Sequence, residues 1–418
     1  MTATVSSPSR HPSTNLTRLA GQRMHAFRHE RWQQEWRGRH IMRGRTPGAD
    51  AIMLVSNDYL AIANHPTIVD AQIRTLSGTG ESVLMSGVFL HGDTPQSRLE
   101  QRFCRWTGMA EAILSQSGYA ANVGLIQALA DAATPVYIDM HAHASLWEGI
   151  QSAGAVARPW RHNDLAHLRR QLAAHGPGIV CVDSVYSTNG SVCRLRDTVQ
   201  LARAMGCVVI VDESHSLGTH GPGGAGLVAA EGLTAEVDFI TASLAKAFAG
   251  RAGLILCPQG FSDYFWFTAR PAIFSSCLLP HEIAALDSTL DVIIAADDRR
   301  EALHRNAALV REGLDELGFN VEASQSQIIA LEAGLEYDTL CLREALEARN
   351  VFGSVFCAPA TPKKRSLIRF SIHAGMTIAQ IEQLLAACAD VRQPLEVWKW
   401  PSSRRKQGGQ PLQSVIGL

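Results

Sequence analysis

A chain of 418 residues, 46% hydrophobic and 18% charged, has the make-up of a globular protein with room for one large and one smaller domain. Its formal net charge of −1 removes the electrostatic case for nucleic acid or an anionic membrane surface as a partner. No apolar run approaches the roughly 18 residues of a membrane span, and nine scattered cysteines with no C-x-x-C pair argue for reduced thiols in a cytoplasmic protein, not for disulfides or a zinc site.

In chain order, residues 1–15 are rich in Ser, Thr and Pro and lack the apolar core of a secretory signal, so disorder is expected there. Residues 17–40, rich in Arg, Gln, Glu and Trp, read as an exposed or partner-packing helix. A short strand at 52–55 leads into Ser56-Asn57-Asp58-Tyr59-Leu60, and 66–76 reads as a helix with Pro near its start. From about residue 110, short apolar runs alternate with helical stretches: 112–114, 136–138, 179–182, 208–211, 239–241 and 253–256. Runs this short and continuous suit strands buried on both faces, which predicts a mostly parallel sheet covered by helices. Residues 281–317 predict one long connecting helix. Segments 319–331, 339–349, 367–372 and 377–389 predict a strand–helix–strand–helix small domain. The expected division is an N-terminal arm (1–50), a large α/β domain (51–285), a small α+β C-terminal domain (286–400) and a flexible tail (401–418).

The positive charges are distributed unevenly. Of the 38 basic residues, five are lysines, and only Lys246 falls within residues 1–362. It sits among small and apolar residues in Thr241-Ala242-Ser243-Leu244-Ala245-Lys246-Ala247. Lysine, unlike arginine, can shed its proton and act as an amine nucleophile or base. In α/β folds ligands collect beyond the carboxyl ends of the strands, and polar residues follow several of the predicted runs. Asp212 closes one of them, where it could hold a protonated heterocyclic nitrogen or cap the next helix. His215 lies three residues on. Asp212-Glu213-Ser214-His215 also matches the D-E-x-H box of nucleic-acid-dependent ATPases. That reading needs an upstream phosphate loop with a lysine, and no lysine precedes Lys246. Asp139-Met140-His141-Ala142-His143 leaves three uses open: two imidazoles sharing a metal, one imidazole lying flat on a cofactor ring, or a packed pair. Ser117-Gly118-Tyr119 stands at a strand-to-helix turn whose backbone N–H groups could hold a phosphate. Arg369, inside an apolar strand, is placed to pair with a carboxylate of the chain or of a substrate.

Taken together, these strings resemble the α-oxoamine synthase family of fold-type I pyridoxal-phosphate enzymes, in matching order from about residue 52 to 375. Members condense an amino acid with an acyl-coenzyme A and lose carbon dioxide. The resemblance implies an aminotransferase-like α/β fold, pyridoxal 5'-phosphate as cofactor, and an obligate homodimer with a shared active site. It also implies roles. Lys246 would be the Schiff-base lysine, and His143 would stack on the pyridine ring. Asp212 would face the ring nitrogen, with His215 and Ser187 near the phenolic oxygen. Gly118, Tyr119 and Ser243 would serve the phosphate and ring. Ser276, in Phe274-Ser275-Ser276, would reach the phosphate of the neighbouring subunit. Asn57 and Arg369 would hold the substrate carboxylate.

Departures from the wider family are similar to one branch, the CqsA/LqsA-type synthases of α-hydroxyketone quorum-sensing autoinducers. They include Ser214 and Ser216 around His215, the loop Glu81-Ser82-Val83-Leu84-Met85-Ser86-Gly87, and the inserted Val88-Phe89-Leu90-His91-Gly92-Asp93-Thr94-Pro95. That branch implies a medium or long acyl-coenzyme A joined to S-adenosylmethionine or 2-aminobutyrate, giving an aminoketone precursor. The alternatives are an α-oxoamine synthase of primary metabolism, of the 8-amino-7-oxononanoate or 2-amino-3-ketobutyrate type, and a metal-dependent hydrolase using Asp139, His141 and His143. Val88-Phe89-Leu90 is expected either to line an acyl pocket or to join the core. Lys363-Lys364-Arg365 is expected to be a solvated charge run or to meet coenzyme A phosphates.

Overall fold

The computed structural model describes residues 18–78 and 84–403. Two sheets organise the chain. The larger has seven strands in the order β2-β8-β7-β6-β5-β3-β4: β2 (Glu111–Ser115), β3 (Pro135–Asp139), β4 (Val156–Trp160), β5 (Ile179–Asp183), β6 (Val208–Asp212), β7 (Phe239–Ser243) and β8 (Gly253–Cys257). Pairings from β4 through β7 are parallel; β8 runs antiparallel between β7 and β2. This is the fold-type I, aminotransferase-like α/β architecture.

Each central strand feeds two cores, because successive side chains point to opposite faces. Tyr137, Val180, Val182, Val209 and Val211 enter one core, while Val136, Ile138, Ile179, Cys181 and Ile210 enter the other. The six apolar runs read from sequence are all strands here. β4 was missed because it is an edge strand, paired to β3 alone, and its Val-Ala-Arg-Pro-Trp sequence is half exposed. An edge position tolerates the proline that a central strand would exclude.

The second sheet has the order β1-β10-β11-β9: β1 (Ile52–Leu54), β9 (Ile328–Gly334), β10 (Val351–Phe356) and β11 (Ser366–Ser371). It corrects the expected strand–helix–strand–helix pattern, which lacked β10. β1 pairs with β10, so residues 52–54 join the small sheet and not the large domain expected to begin at 51. Strand β10 carries Gly353 and Ser354, which interrupt the apolar signal. Gly353 is required by packing: a Cβ there would lie 2.5 Å from Ile368 Cγ2. The expected long helix is two, Pro280–Ile294 and Asp297–Glu316, broken at Ala295-Ala296. Asp297–Glu316 serves both bodies, with Leu303 in a core of the large sheet and Ala307, Val310 and Leu314 in that of the small sheet. No helix among the described residues is long and apolar enough to cross a membrane.

The N-terminal arm begins as the helix Arg18–Ala26, continues as a π-helical stretch Phe27–Glu35 and docks on the small domain. Trp36 and Ile41 pack with Leu340 and Cys357. Arg31 Nη2 and Trp36 Nε1 each donate to one oxygen of Glu336, both at 2.6 Å. Residues 1–15, expected to be disordered, and the expected tail beyond Ser403 lie outside the described residues, as does the 81–83 part of the Glu81-to-Gly87 loop. Glu336→Ala would leave the buried Trp36 indole N–H unpaired and take from Arg31 its shortest partner, leaving it Cys357 Sγ at 3.6 Å and Glu35 at 3.8 Å, at a cost of about 1–3 kcal/mol. The expected outcome is a lower denaturation midpoint with faster hydrogen exchange over residues 27–41; unchanged exchange there would show that this carboxylate does not hold the arm.

Candidate active site

The carboxyl ends of β3, β5, β6 and β7 carry Asp139, Asp183, Asp212 and Ser243, and the adjacent loops supply the rest of the site. Asp212 is 3% exposed. Its Oδ2 accepts from Asn122 Nδ2 at 2.7 Å and its Oδ1 from Ser214 N at 2.9 Å. Those two donors give the buried Asp212 carboxylate hydrogen-bond partners in place of water. Asn122 also donates to Ser145 Oγ at 2.9 Å, and Ser145 Oγ lies 2.7 Å from His143 Nδ1. The His143 backbone N–H donates to Asp183 Oδ1 at 3.1 Å. Asp212, Asn122, Ser145, His143 and Asp183 therefore form one connected network under the loop that follows β3. Burial, followed by repulsion from Asp212, raises the Asp183 carboxyl well above the usual carboxylate range. Burial lowers His143.

Lys246 lies three residues past the end of β7. Burial pulls its ammonium below the ordinary lysine range, the positive charge of Arg369 adds to that, and the negative charge of Asp212 opposes it. The same causes identify its surroundings: a cation and a carboxylate near enough to be felt, in a place short of water. His215 is buried. Its Nδ1 meets Tyr59 Oη at 2.7 Å, and its carbonyl accepts from Gln327 Nε2 at 2.7 Å. Burial, and then the charges of Lys246, Arg369 and His143, press its imidazole well below its usual value, so it is neutral.

Arg369 enters from β11. It gives Nη1 to Ser187 O at 2.8 Å and Nη2 to Asn57 Oδ1 at 2.9 Å, while its guanidinium lies 4.7 Å from the Phe356 ring centroid. Both hydrogen-bond acceptors are neutral oxygens, and its buried Nε has no partner among the described residues. A buried cation so arranged is set up to receive an anion.

The turn at Ser117 begins the helix Gly118–Leu129, with Ser117 Oγ accepting from Ala120 N at 3.1 Å. A Cβ on Gly118 would lie 2.6 Å from Ser243 Cβ, so only glycine lets this helix start and the end of β7 meet. Gly118, Ser243 and the helix N-terminus thus form a cradle able to hold a phosphate. Tyr119 is half exposed beside it. Ser276 is exposed, and its carbonyl accepts from Gln116 Nε2 of its own chain at 2.7 Å.

The two histidines of the H-x-H pair separate. His141 stacks on His162 at 4.1 Å, whereas His143 turns toward Ser145. Among the described residues no three His, Cys, Asp or Glu side chains converge as a metal site, so the geometry does not carry the hydrolase alternative. Phe89 is 63% exposed, and the short turn Gly87–Phe89 lies against Trp266 near the chain surface, so Val88-Phe89-Leu90 is not core. Arg365 pairs with Glu332 at 2.8 Å. A cavity of about 860 Å3 opens beside His143 and Ser187 and runs past His141, His162 and Asn189 to Pro359, Ala360 and Arg365. Sequence reading missed Asn122, Ser145 and Asp183 as supports of the site. Tyr59 was legible only as part of the Ser56–Leu60 string.

The residues present fit pyridoxal phosphate: an amine poised to lose its proton, a buried carboxylate for a ring nitrogen, and a glycine-lined helix start for a phosphate. The neutral, buried His215 also sets a sign for acid stability. Unfolded, it takes up a proton as pH falls through about 6.5; folded, it refuses, so stability is lost below that value. His215→Gln is expected to flatten the fall in unfolding free energy as pH drops below about 6.5 by up to about 1.4 kcal/mol per pH unit. Chemical denaturation of the apoprotein across that range checks it, and parallel slopes for the two proteins would contradict it.

Comparisons with known proteins agree with this geometry. The model of the aminotransferase class I and II family matches residues 49–387. The CAI-1 autoinducer synthase of Vibrio campbellii is 49% identical, over 86% of this chain and 91% of its own. The 8-amino-7-oxononanoate synthase of Geobacter metallireducens is 33% identical over 81% and 89%. Among solved structures, a serine palmitoyltransferase from S. paucimobilis superposes with a TM-score of 0.80 at 27% identity, covering 85% of this chain and 92% of that one. A second structure of that enzyme type, with PLP as an internal aldimine, superposes with a TM-score of 0.79 at 28% identity, covering 85% of this chain and 92% of that one. The chain belongs to the aminotransferase class I and II family and, within it, to the α-oxoamine synthases, acyltransferases that use pyridoxal phosphate, on the branch of the autoinducer synthases.

Proposed function

We propose that this enzyme joins a medium- or long-chain acyl-coenzyme A to an amino donor, S-adenosylmethionine or 2-aminobutyrate, with loss of carbon dioxide. The product is an aminoketone precursor of an α-hydroxyketone quorum-sensing signal. The observation that carries the reading is Lys246: the one lysine of residues 1–362, its basicity lowered by burial, within reach of the charges of Asp212 and Arg369. The 49% identity to an autoinducer synthase supports the branch.

Pyridoxal phosphate, when bound, supplies an electron sink for the carbanion left after the amino donor gives up its α-proton. The chain's own residues do the rest. Lys246 Nζ would hold the cofactor and, when free, would accept the donor's α-proton; desolvation makes its neutral amine accessible for that transfer. Asp212, fixed by Asn122 and Ser214, would hold a proton at the ring nitrogen. His143 would hold the pyridine ring and help exclude water from it. Neutral His215 and Ser187 take the phenolic oxygen. Gly118, Tyr119 and Ser243, with Ser276 of a second copy, hold the phosphate and ring. Arg369 and Asn57 grip the donor's carboxylate, and the orphaned Nε of Arg369 supports that role. The large cavity beside His143 has room for a thioester chain.

An obligate homodimer is part of this reading. Leu84 (75% exposed), Phe267 (86%) and Phe274 (82%) present a set of large apolar side chains that one chain alone leaves in water. A cytoplasmic setting fits nine free cysteines. The domain division proposed is an arm to residue 50, a large domain to 285 and a small one to 400, with 52–54 contributed to the small sheet.

The relative that makes 8-amino-7-oxononanoate, at 33% identity, keeps one other reading in play. Incubating the purified enzyme with a matrix of acyl-coenzyme A thioesters and amino donors, with products read by mass, separates the two. The expected product is an aminoketone from a medium or long acyl chain and S-adenosylmethionine or 2-aminobutyrate. Turnover confined to the substrates of 8-amino-7-oxononanoate synthesis would overturn the proposal.

A further inference from the structure

The loops that carry His143 and Ser187 are far apart in sequence, and one residue of a third loop joins them. His162 follows β4. Its Nδ1 lies 3.0 Å from Asp139 Oδ1, at the root of the His143 loop. Its Nε2 lies 2.9 Å from Ser191 Oγ, at the foot of the turn that bears Ser187. One face of the imidazole stacks on His141 at 4.1 Å and an interplanar angle of 13°, and the ring meets Tyr186, the residue before Ser187, at 4.4 Å and 87°. The neighbouring residue repeats the tie. Asn163 N donates to Asp139 Oδ2 at 3.1 Å, and Asn163 Nδ2 donates to Val192 O at 2.9 Å.

We propose that His162 is a positioning residue: by bridging Asp139 and Ser191 it fixes the separation of the His143 loop and the Ser187 turn. The proposal rests on the cofactor reading above, in which those two residues address one ring. An imidazole suits this work because its two nitrogens sit at a fixed distance and point apart, so both anchors are held without a flexible side chain between them. The Asp139 side chain is fully buried and also accepts from His141 N at 2.8 Å. It therefore keeps partners when His162 is changed, and the chain should still fold. Asp139, His162 and Ser191 have the connectivity of a hydrolytic triad. Ser191 Oγ, however, also lies 2.9 Å from Asn189 Oδ1, an acceptor in its own turn that competes with His162 Nε2 for the single hydroxyl proton.

Three variants separate the two arms of the bridge. His162→Asn places an amide where Nδ1 stood and keeps the Asp139 arm; His162→Gln reaches the Nε2 position and keeps the Ser191 arm; Ser191→Ala removes that hydroxyl alone. Hydrogen exchange on the apoprotein reads the loops without any cofactor. Pyridoxal phosphate affinity and the pH midpoint of the bound cofactor's visible absorbance read the site. His162→Asn and Ser191→Ala are expected to speed exchange at residues 186–192 and to move the absorbance midpoint together. His162→Gln is expected to speed exchange at 139–145 and weaken cofactor binding on the order of tenfold. The proposal is overturned if all three keep wild-type exchange in both loops, or if they merely lower the melting temperature and leave affinity and midpoint unmoved. It is also overturned if Ser191→Ala abolishes a thioester hydrolysis that Lys246→Ala retains, because Ser191 would then be a nucleophile. If wild-type protein takes up no pyridoxal phosphate, the cofactor reading fails, and the exchange data alone decide whether the bridge exists.

Discussion

Holding a half-buried amine within electrostatic reach of both a carboxylate and a guanidinium is the constraint on which this structure depends. Lys246 loses hydration and feels Arg369 as a like charge, with Asp212 as partial compensation. Two of these three groups need support of their own. Asp212 has Asn122 and Ser214, and Arg369 has Ser187 and Asn57. Those partners come from the large sheet's loops, from the helix Gly118–Leu129 and from the segment after β1. The site therefore cannot be assembled by one element alone; the two sheets must be held in register around it.

The contacts that keep that register are specific. Arg369 belongs to the small sheet, yet it is tied to Ser187 in the large domain. Gln327, just before β9, holds the carbonyl of His215. The helix Asp297–Glu316 places its first half in one core and its second half in the other. Gly118 allows the helix Gly118–Leu129 to start against Ser243 with no side chain between them. Each contact joins a packing requirement to a chemical one, so a change that loosens the domains also moves charges around Lys246.

Much of this was legible in the sequence, for identifiable reasons. Central strands of a mostly parallel sheet are apolar on both faces, so runs such as Val208-Val209-Ile210-Val211 stand out. Lys246, the single lysine of residues 1–362 in an arginine-rich chain, stands out by composition. Edge and mixed strands do not: β4 carries Arg158 and Pro159, and β10 carries Gly353 and Ser354, so neither shows a clean period. The H-x-H pair was ambiguous because spacing says nothing of which way each ring turns; the separation of His141 from His143 needs the loop's hydrogen bonds to Asp139 and Asp183. Supports such as Asn122 and Ser145 were invisible because they sit in ordinary helix-start sequence and acquire a role only when distant segments meet. The exposed Phe89 likewise follows from an irregular turn that no periodicity marks.

The central claim is that one amine, Lys246 Nζ, anchors the cofactor. Reconstituting the purified enzyme with pyridoxal phosphate, reducing the linkage with borohydride and mapping the modified peptide by mass spectrometry tests it most directly. The account predicts a stoichiometric pyridoxyl group on the peptide containing Lys246. Modification of Lys363, Lys364, Lys399 or Lys406 in its place, or no stable adduct at all, would contradict it.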